Sequence, residues 1–565
     1  MNYLREVPLV IFLVGAVFAS IYFVLVRNLS PSLQIGCLRR LALACGALTL
    51  TMFVALNFVA LRGYFIWGDE ANILSIAAAG LHGQPVYHAV TSPDLCYSLM
   101  YGPLTFLVYQ ALLVIGGGRF WILKAAVGLV NLLTCAVLFS ILRKFVRRET
   151  ALALIAFPLC ALLLQAPSSF GIRSDAWIVL AMALATRSAL IESEFLASVL
   201  TGVAAGIAID FKVTVAPTFL LLLLMLYRRW GIKSVFISAG SSIATALVPF
   251  ALPSVSLINY LSWLLATGHE GLDRNLVIYS FHYAVFLAAP LILLQLLGIN
   301  PWQKKLHTGS VAEKCLLTVC LLLAAVISAK PGAGPWHFWS LLPILTAYLA
   351  LAIGRSPQSS PVRLEYGVLL IALGSTLIAV ADLRRDFIAL CAPSATITEM
   401  LKDGRQDLDL YEALYRGRTL QMGYGESPDE VAETLRYILP LNGQRYTLDG
   451  SAFSVESSDG LPFPHGIIEK MERCSNSVWL FLMGNAHSSV ASGSYFPRTS
   501  ATHFYSITRW NDKGRSSMHG VAELNNSSGR GRVGRSPSFA KKSEGWGTRL
   551  PPEKLDTPEK QATQL

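Results

Sequence analysis

Apolar residues gather into runs that recur along the first two thirds of the chain, at roughly 7–26, 41–61, 121–142, 150–166, 176–190, 196–209, 213–227, 234–253, 277–298, 314–329, 337–354 and 363–381. Most are long enough to cross the ~30 Å hydrocarbon core of a bilayer as a helix. The pattern predicts an all-α polytopic membrane protein with about twelve transmembrane helices. The run 196–209 falls below the usual ~20 residues and is expected to be tilted or packed among neighbours. Past Ala381 the pattern changes. Tyr437 to Thr447 reads as a strand and turn, and Val478 to Met483 as a buried strand. Glu426-Ser427-Pro428-Asp429-Glu430 opens a helix, with Val431, Leu435 and Ile438 at helical spacing. The expected organisation is a transmembrane module over 1–384, a small soluble α+β domain over 385–511, and a tail over 512–565. That tail is rich in Gly, Ser, Lys, Arg and Pro, lacks apolar periodicity and should be disordered.

Composition agrees: 53% of the 565 residues are hydrophobic and only 14% charged, which excludes an ordinary soluble globular chain. The first run resembles a signal peptide at Val17-Phe18-Ala19, but Arg5 stands against Glu6 in front of it, so an uncleaved span is the expectation. The net charge of +11 reports topology rather than nucleic-acid binding, because the basic residues sit between spans and in the tail. Arg27, Arg39 and Arg40 share one loop, Arg143, Lys144, Arg147 and Arg148 another, and Arg228, Arg229 and Lys233 a third; Lys304 with Lys305, and Arg355 with Arg363, follow. All fall on the cytoplasmic side if the apolar stretch 102–117 is a juxtamembrane or re-entrant element that does not cross. The first large extracytoplasmic loop then runs over 62–120, and the soluble domain shares its side. Nine cysteines give no zinc-like spacing. Most lie in spans as small hydrophobes; Cys96, Cys391 and Cys474 lie outside, and Cys391 with Cys474 is a candidate disulfide in an oxidising compartment.

That loop carries Trp67-Gly68-Asp69-Glu70, two adjacent carboxylates at a membrane boundary, where a charge needs water, a partner or a task. The same face collects Arg173, Asp175, Asp210, Lys212, His269, Glu270, Lys330 and His337. Taken singly, Arg173 with Asp175 and Asp210 with Lys212 are local ion pairs at helix ends, and His337 between Trp336 and Phe338 is an aromatic-belt histidine. Taken together, they suggest a shared polar cavity.

Asp69-Glu70-Ala71-Asn72, then Gly83-Gln84-Pro85-Val86-Tyr87, then Tyr101-Gly102-Pro103-Leu104 resemble the first loop of GT-C fold glycosyltransferases. The nearest type is the bacterial protein-mannosyltransferase and aminoarabinose-transferase group. Arg173-Ser174-Asp175 is similar to that group's Arg-Pro-Asp, Lys212 to a Lys-Gln-Thr-like element, and Trp336-His337-Phe338 before Leu341-Leu342-Pro343 to its late aromatic and Leu-Pro segment. Gly102 and Ser174 replace prolines of the group's pattern, and the turn lacks the lysine that aminoarabinose transferases carry. The resemblance spans roughly 41–345. It implies a multi-pass enzyme of the plasma (inner) membrane that transfers a hexose or pentose from a polyprenyl-phosphate-linked donor to an extracytoplasmic lipid, glycan or protein, with inversion.

Such a reaction needs a base for the acceptor proton and an electrostatic clamp for the leaving phosphate. Asp69 suits the base. Glu70 and Asp175 are its carboxylate companions, to orient it, contact the acceptor or, as Asp69 with Asp175, hold a divalent cation. Arg173, Lys212 and His337 are candidates to face the donor phosphate, with Tyr87, Tyr101 and Pro103 in the substrate loop. The rival reading is a transporter or flippase of lipid-linked sugars. A carrier tends to place its charges near midplane on broken helices and to show two similar halves, and neither is visible here.

Overall fold

The computed structural model describes residues 8–355 apart from 62–67, 270 and 300–308, then 360–391, and beyond these shorter stretches that include 419–422, 430–449, 464–467, 477–482, 505–510 and 516–522. Among the described residues, ten helices are long and apolar enough to cross a membrane: Pro8–Val26, Pro31–Ala60, Phe120–Arg143, Glu194–Phe211, Val213–Trp230, Ile232–Ala251, Arg274–Leu296, Val311–Ser328, Pro335–Gly354 and Pro361–Asp382. The first shows why the chain needs lipid. Val14, Val17, Phe18, Ile21 and Leu25 all stand open on one side, while Phe12 and Ala19 are buried on the other. A row of that kind is stable only against hydrocarbon or another protein.

Two of the expected spans take a different form. The run 150–166 divides into Arg148–Leu154 and Ala156–Leu163, and 176–190 becomes the 14-residue helix Asp175–Ser188. Every residue of Ala156–Leu163 is buried. Protein rather than lipid surrounds Ala156–Leu163, so hydrocarbon thickness does not set its length, and Pro158 withdraws a backbone donor near the junction with Arg148–Leu154.

The run 196–209 extends to Glu194–Phe211 and lies against Ile232–Leu247. Gly202 and Gly206 meet the backbone carbonyls of Ser238 and Ser242, so a side chain at either glycine would push the helices apart. The helices Gly68–Leu81 and Pro103–Gly116 have 14 residues each. At ~1.5 Å per residue they are about 21 Å long, short of the ~30 Å core. They pack on one another, and Gly68–Leu81 also packs on the helix Glu430–Leu441.

That last helix corrects the strand expected from Tyr437. Residues through Leu441 are helical, with Tyr437, Ile438 and Leu439 buried against the first-loop helices. The helical spacing that begins at Val431 prevails over the local β-propensity, and the turn follows at Gly443, whose φ of 83° suits glycine. Farther on, Thr447 and Asp449 bracket Cys96 of the first loop. Cys96 N donates to Thr447 O at 2.7 Å, and Asp449 N donates to Cys96 O at 2.6 Å.

Four strands, β1 (Thr419–Met422), β2 (Ser477–Leu482), β3 (Tyr505–Trp510) and β4 (Ser516–Ala522), form a sheet of order β1-β2-β4-β3, parallel only between β1 and β2. β2 is the strand expected at Val478. β4 lies in the stretch expected to be disordered from 512, and pairs with β3 across the 511/512 boundary. Its partners rather than its composition make it a strand. Residues beyond 522, and the thiols of Cys391 and Cys474, lie outside the described residues.

Candidate active site

The turn Tyr101-Gly102-Pro103-Leu104 is docked on the end of Glu194–Phe211. Gly102 N and Thr105 Oγ1 both donate to Phe211 O, at 2.9 and 3.1 Å, and Tyr87 OH donates to Tyr101 O at 2.5 Å. A Cβ at residue 102 would run into the backbone carbonyl of Asp210, which explains the glycine at this position. Pro103 then opens its helix at the first position, where its missing N–H costs nothing. The docking sets Tyr101 beside Lys212, the residue that ends Glu194–Phe211, with Lys212 Nζ 5.1 Å from the centre of the Tyr101 ring.

A second cation reaches the same tyrosine. Arg173 donates to Tyr101 OH at 2.9 Å and through Nε to Asp175 Oδ2 at 2.9 Å. Lys212 Nζ lies 3.7 Å from the other oxygen of Asp175. The Trp336 ring covers the guanidinium at 4.7 Å, and Tyr109 OH donates to Arg173 O at 2.9 Å. Arg173 and Asp175 are each about 99% buried, which a charge tolerates only when it is paired. Asp175 also begins its helix, where the exposed N–H groups favour an anion. Thus five residues from four segments, Tyr101, Arg173, Asp175, Lys212 and Trp336, meet as one group.

The remaining expected site residues divide. Tyr87 is buried and serves the turn from behind. His337 follows Trp336 and sets Nδ1 3.2 Å from Thr214 Oγ1, two residues past Lys212. Glu70 is fully buried, and its two oxygens accept from Lys124 Nζ at 2.8 and 3.1 Å; Oε1 also accepts from Ile172 N at 2.5 Å. Asp69 is the second residue of Gly68–Leu81, and its side chain lies outside the described residues, as does Glu270. Lys330 donates to the carbonyls of Thr267 and Gly268 at 2.8 and 3.1 Å and so finishes the helix Leu257–Gly268. The pairing of Asp210 with Lys212 is not among the ion pairs of the described residues, and Asp210 Oδ1 is buried without a hydrogen bond.

Among the described residues no group of three or more His, Cys, Asp or Glu side chains is placed to hold a metal ion. Asp175 already receives two cationic side chains, surroundings that repel a divalent cation. Lys124 and Tyr109 are the residues sequence reasoning missed. Lys124 had a signal, since a lysine inside an apolar run requires a partner; Tyr109 looked like any aromatic residue on a helix.

No known family's sequence pattern matches the chain, and no curated protein matches it. Solved structures do. ArnT from Cupriavidus metallidurans bound to undecaprenyl phosphate is 14% identical, with 86% of this chain and 99% of that chain covered, at a TM-score of 0.52. The same protein in the apo state gives 14% identity, 84% and 97% coverage and a TM-score of 0.49. The archaeal oligosaccharyltransferase AglB from Archaeoglobus fulgidus, in complex with an inhibitory peptide and a dolichol-phosphate, gives 10% identity, 83% and 74% coverage and 0.41. The overlay on the first, over nearly its whole length, shows that this chain has the GT-C fold of a multi-pass membrane protein.

Proposed function

We propose that this chain is an integral membrane glycosyltransferase that moves a sugar from a polyprenyl-phosphate-linked donor to an extracytoplasmic acceptor. The observation that carries the reading is the convergence of Arg173 and Lys212 on Asp175 and Tyr101. Two cations held by aromatic faces and one carboxylate suit a phosphate: Arg offers a bidentate fork and Lys a mobile point charge. The undecaprenyl phosphate bound to the ArnT structure is a ligand of that chemistry. The positive-inside distribution supports an extracytoplasmic position for this face, and the proposed location is the plasma (inner) membrane.

In the proposed reaction the Asp69 carboxylate accepts the proton of the acceptor hydroxyl or amine. The acceptor atom attacks the anomeric carbon as the bond from that carbon to phosphate oxygen breaks, and the electron pair leaves with polyprenyl phosphate between Arg173 and Lys212. Attack opposite the leaving group inverts the anomeric centre. Sugar, acceptor class and a hexosyl or pentosyl choice would be set by side chains around the anomeric position.

The test is reconstitution in vesicles with undecaprenyl-phosphate-linked sugars and a membrane extract as acceptor. Acceptor-dependent release of undecaprenyl phosphate is the expected result. Robust transfer from a nucleotide sugar in detergent without lipid carrier would overturn the donor class, and movement of the intact lipid-linked sugar across the bilayer without transfer would establish a flippase instead.

A further inference from the structure

Lys124 has no part in the chemistry just described, yet it is a fully buried cation. It sits four residues into the Phe120–Arg143 helix, its ammonium fully buried, above the Phe120 ring at 5.6 Å. Its counter-charge, Glu70, is equally buried and lies in the first turn of Gly68–Leu81. The third member is backbone: Ile172 N donates to Glu70 Oε1 at 2.5 Å. The next residue is Arg173, and Asp175 follows two further on. One carboxylate therefore ties three segments together, the start of the helix that bears Asp69, the Phe120–Arg143 helix, and the loop that carries the phosphate-facing guanidinium.

An ion pair of this kind is a poor stabiliser. The cost of stripping two charges of water offsets most of their attraction, and apolar replacements of equal volume often serve the fold as well or better. What such a pair supplies is direction: a buried carboxylate with a fixed lysine on one side has its remaining lone pairs aimed. Here they are aimed at Ile172 N. We infer that Lys124 and Glu70 are positioning residues, a buried clamp that fixes the Arg173 loop against the helix of Asp69 and so sets the phosphate site relative to the base. Of the acidic pair, Glu70 then holds and Asp69 acts. The inference rests on the proposal that Arg173 faces a lipid phosphate.

Removing Lys124 alone would strand a buried anion and invite misfolding, so the experiment uses double variants of the full chain in detergent. The probe is undecaprenyl phosphate, with binding followed through tryptophan fluorescence, since Trp336 lies on Arg173. Glu70→Met/Lys124→Met removes the charges and the acceptor for Ile172 N. Its affinity should fall ~10–100-fold, the scale of a lost charge-assisted contact. Glu70→Gln/Lys124→Met keeps an oxygen for Ile172 N but loses the lysine that fixes it, so it should bind between the double-Met chain and wild type, recovering at least ~3-fold of the lost affinity. A clamp that only stabilises would leave affinity unchanged in both once they are folded, and wild-type binding by the double-Met chain overturns the inference. So does failure of the Gln/Met chain to recover. If the double-Met chain does not fold, amide exchange over 171–174 in the wild type decides: helix-like protection supports the clamp and loop-like exchange refutes it. Arg173→Ala is the control. If wild type and Arg173→Ala bind the lipid equally, the phosphate reading itself has failed; if only Arg173→Ala is impaired, the clamp alone has failed.

Discussion

Lys212 sets its ammonium 3.7 Å from the carboxylate of Asp175, a residue on a different helix, while Asp210, two positions before it in sequence, keeps a buried oxygen without a hydrogen bond. The pairing a reader of the sequence would draw, within one short hairpin, gives way to one across helices. Lys212 is the residue that caps the helix Glu194–Phe211 and has left the helical conformation, with φ −163° and ψ 113°, so it does not continue the helical face that holds Asp210. Asp175 thereby becomes the shared anion of two cations.

Asp175→Asn tests that sharing. The amide still accepts from Arg173 but no longer neutralises it, so the apo protein should lose about 1.5–3 kcal/mol, the worth of a hydrogen bond to a charged group. An anionic ligand should restore the loss. In thermal unfolding, undecaprenyl phosphate should raise the melting temperature of Asp175→Asn more than that of wild type. An equal or smaller rise would mean that the two cations do not face the phosphate.

Gly102→Ala addresses the docking of the turn. Its Cβ would meet the carbonyl of Asp210, and backbone there is held by Gly102 N and Thr105 Oγ1 on Phe211. Overpacking of this kind costs about 1–3 kcal/mol, and the displaced Tyr101 should weaken lipid-phosphate binding as well. Gly102→Pro should be worse, because it also removes the N–H whose hydrogen bond Phe211 O accepts. Calorimetry of both variants checks the order.

Much of this was legible from residues alone. The period of apolar runs gave the helical membrane architecture; Asp175, Arg173 and Lys212 stood out for charge at a membrane boundary and Tyr101 for the turn it opens, and the structure places all four in one group. What escaped had physical reasons. Whether 150–166 forms one span or two short helices depends on neighbours that shield it from lipid, which periodicity does not register. Tyr437 sits in a helix because Gly68–Leu81 buries it, a contact distant in sequence. Lys124 was readable as a cation needing a partner, but nothing local pointed to Glu70.

A pH effect should come from the contact between the first loop and the segment around Asp449. Cys96 Sγ donates to Glu456 Oε2 at 3.3 Å, Asp449 lies alongside, and burial pushes the Glu456 carboxyl up from 4.5 to about 7. Nearby in the loop, burial lowers His88 from 6.5 to about 4; its Nε2 accepts from Tyr97 N at 3.0 Å, as a neutral ring must. The signs oppose. A raised carboxyl contributes stability that is full below 4.5 and lost as pH climbs to about 7, whereas the neutral His88 contributes stability present above 6.5 and lost as pH falls toward 4. Wild-type unfolding should therefore vary little between these limits. Glu456→Gln should expose the His88 slope, with the melting temperature rising with pH across that window; a flat profile in Glu456→Gln would show that the two groups are not buried as described.

The last expectation concerns Asp69, at the second position of a helix whose next residue is fixed by Lys124 and Ile172 N. Glu70 is committed to that clamp and Asp175 to two cations, and the proposed reaction gives proton transfer to Asp69. Asp69→Asn preserves size and much of the hydrogen bonding while removing the proton acceptor, so release of polyprenyl phosphate from a lipid-linked sugar should slow by roughly 10²–10⁴-fold. Binding of undecaprenyl phosphate should stay near wild type. Lys212→Ala should show the other pattern, weaker lipid-phosphate binding together with slower release, since a phosphate clamp acts on ground and transition states alike. Stopped-assay turnover and lipid titration on the same preparations, after both variants are shown to fold, separate the two. If Asp69→Asn turns over normally, the base lies elsewhere, and Asp210, whose buried Oδ1 has no hydrogen bond, is the next to replace.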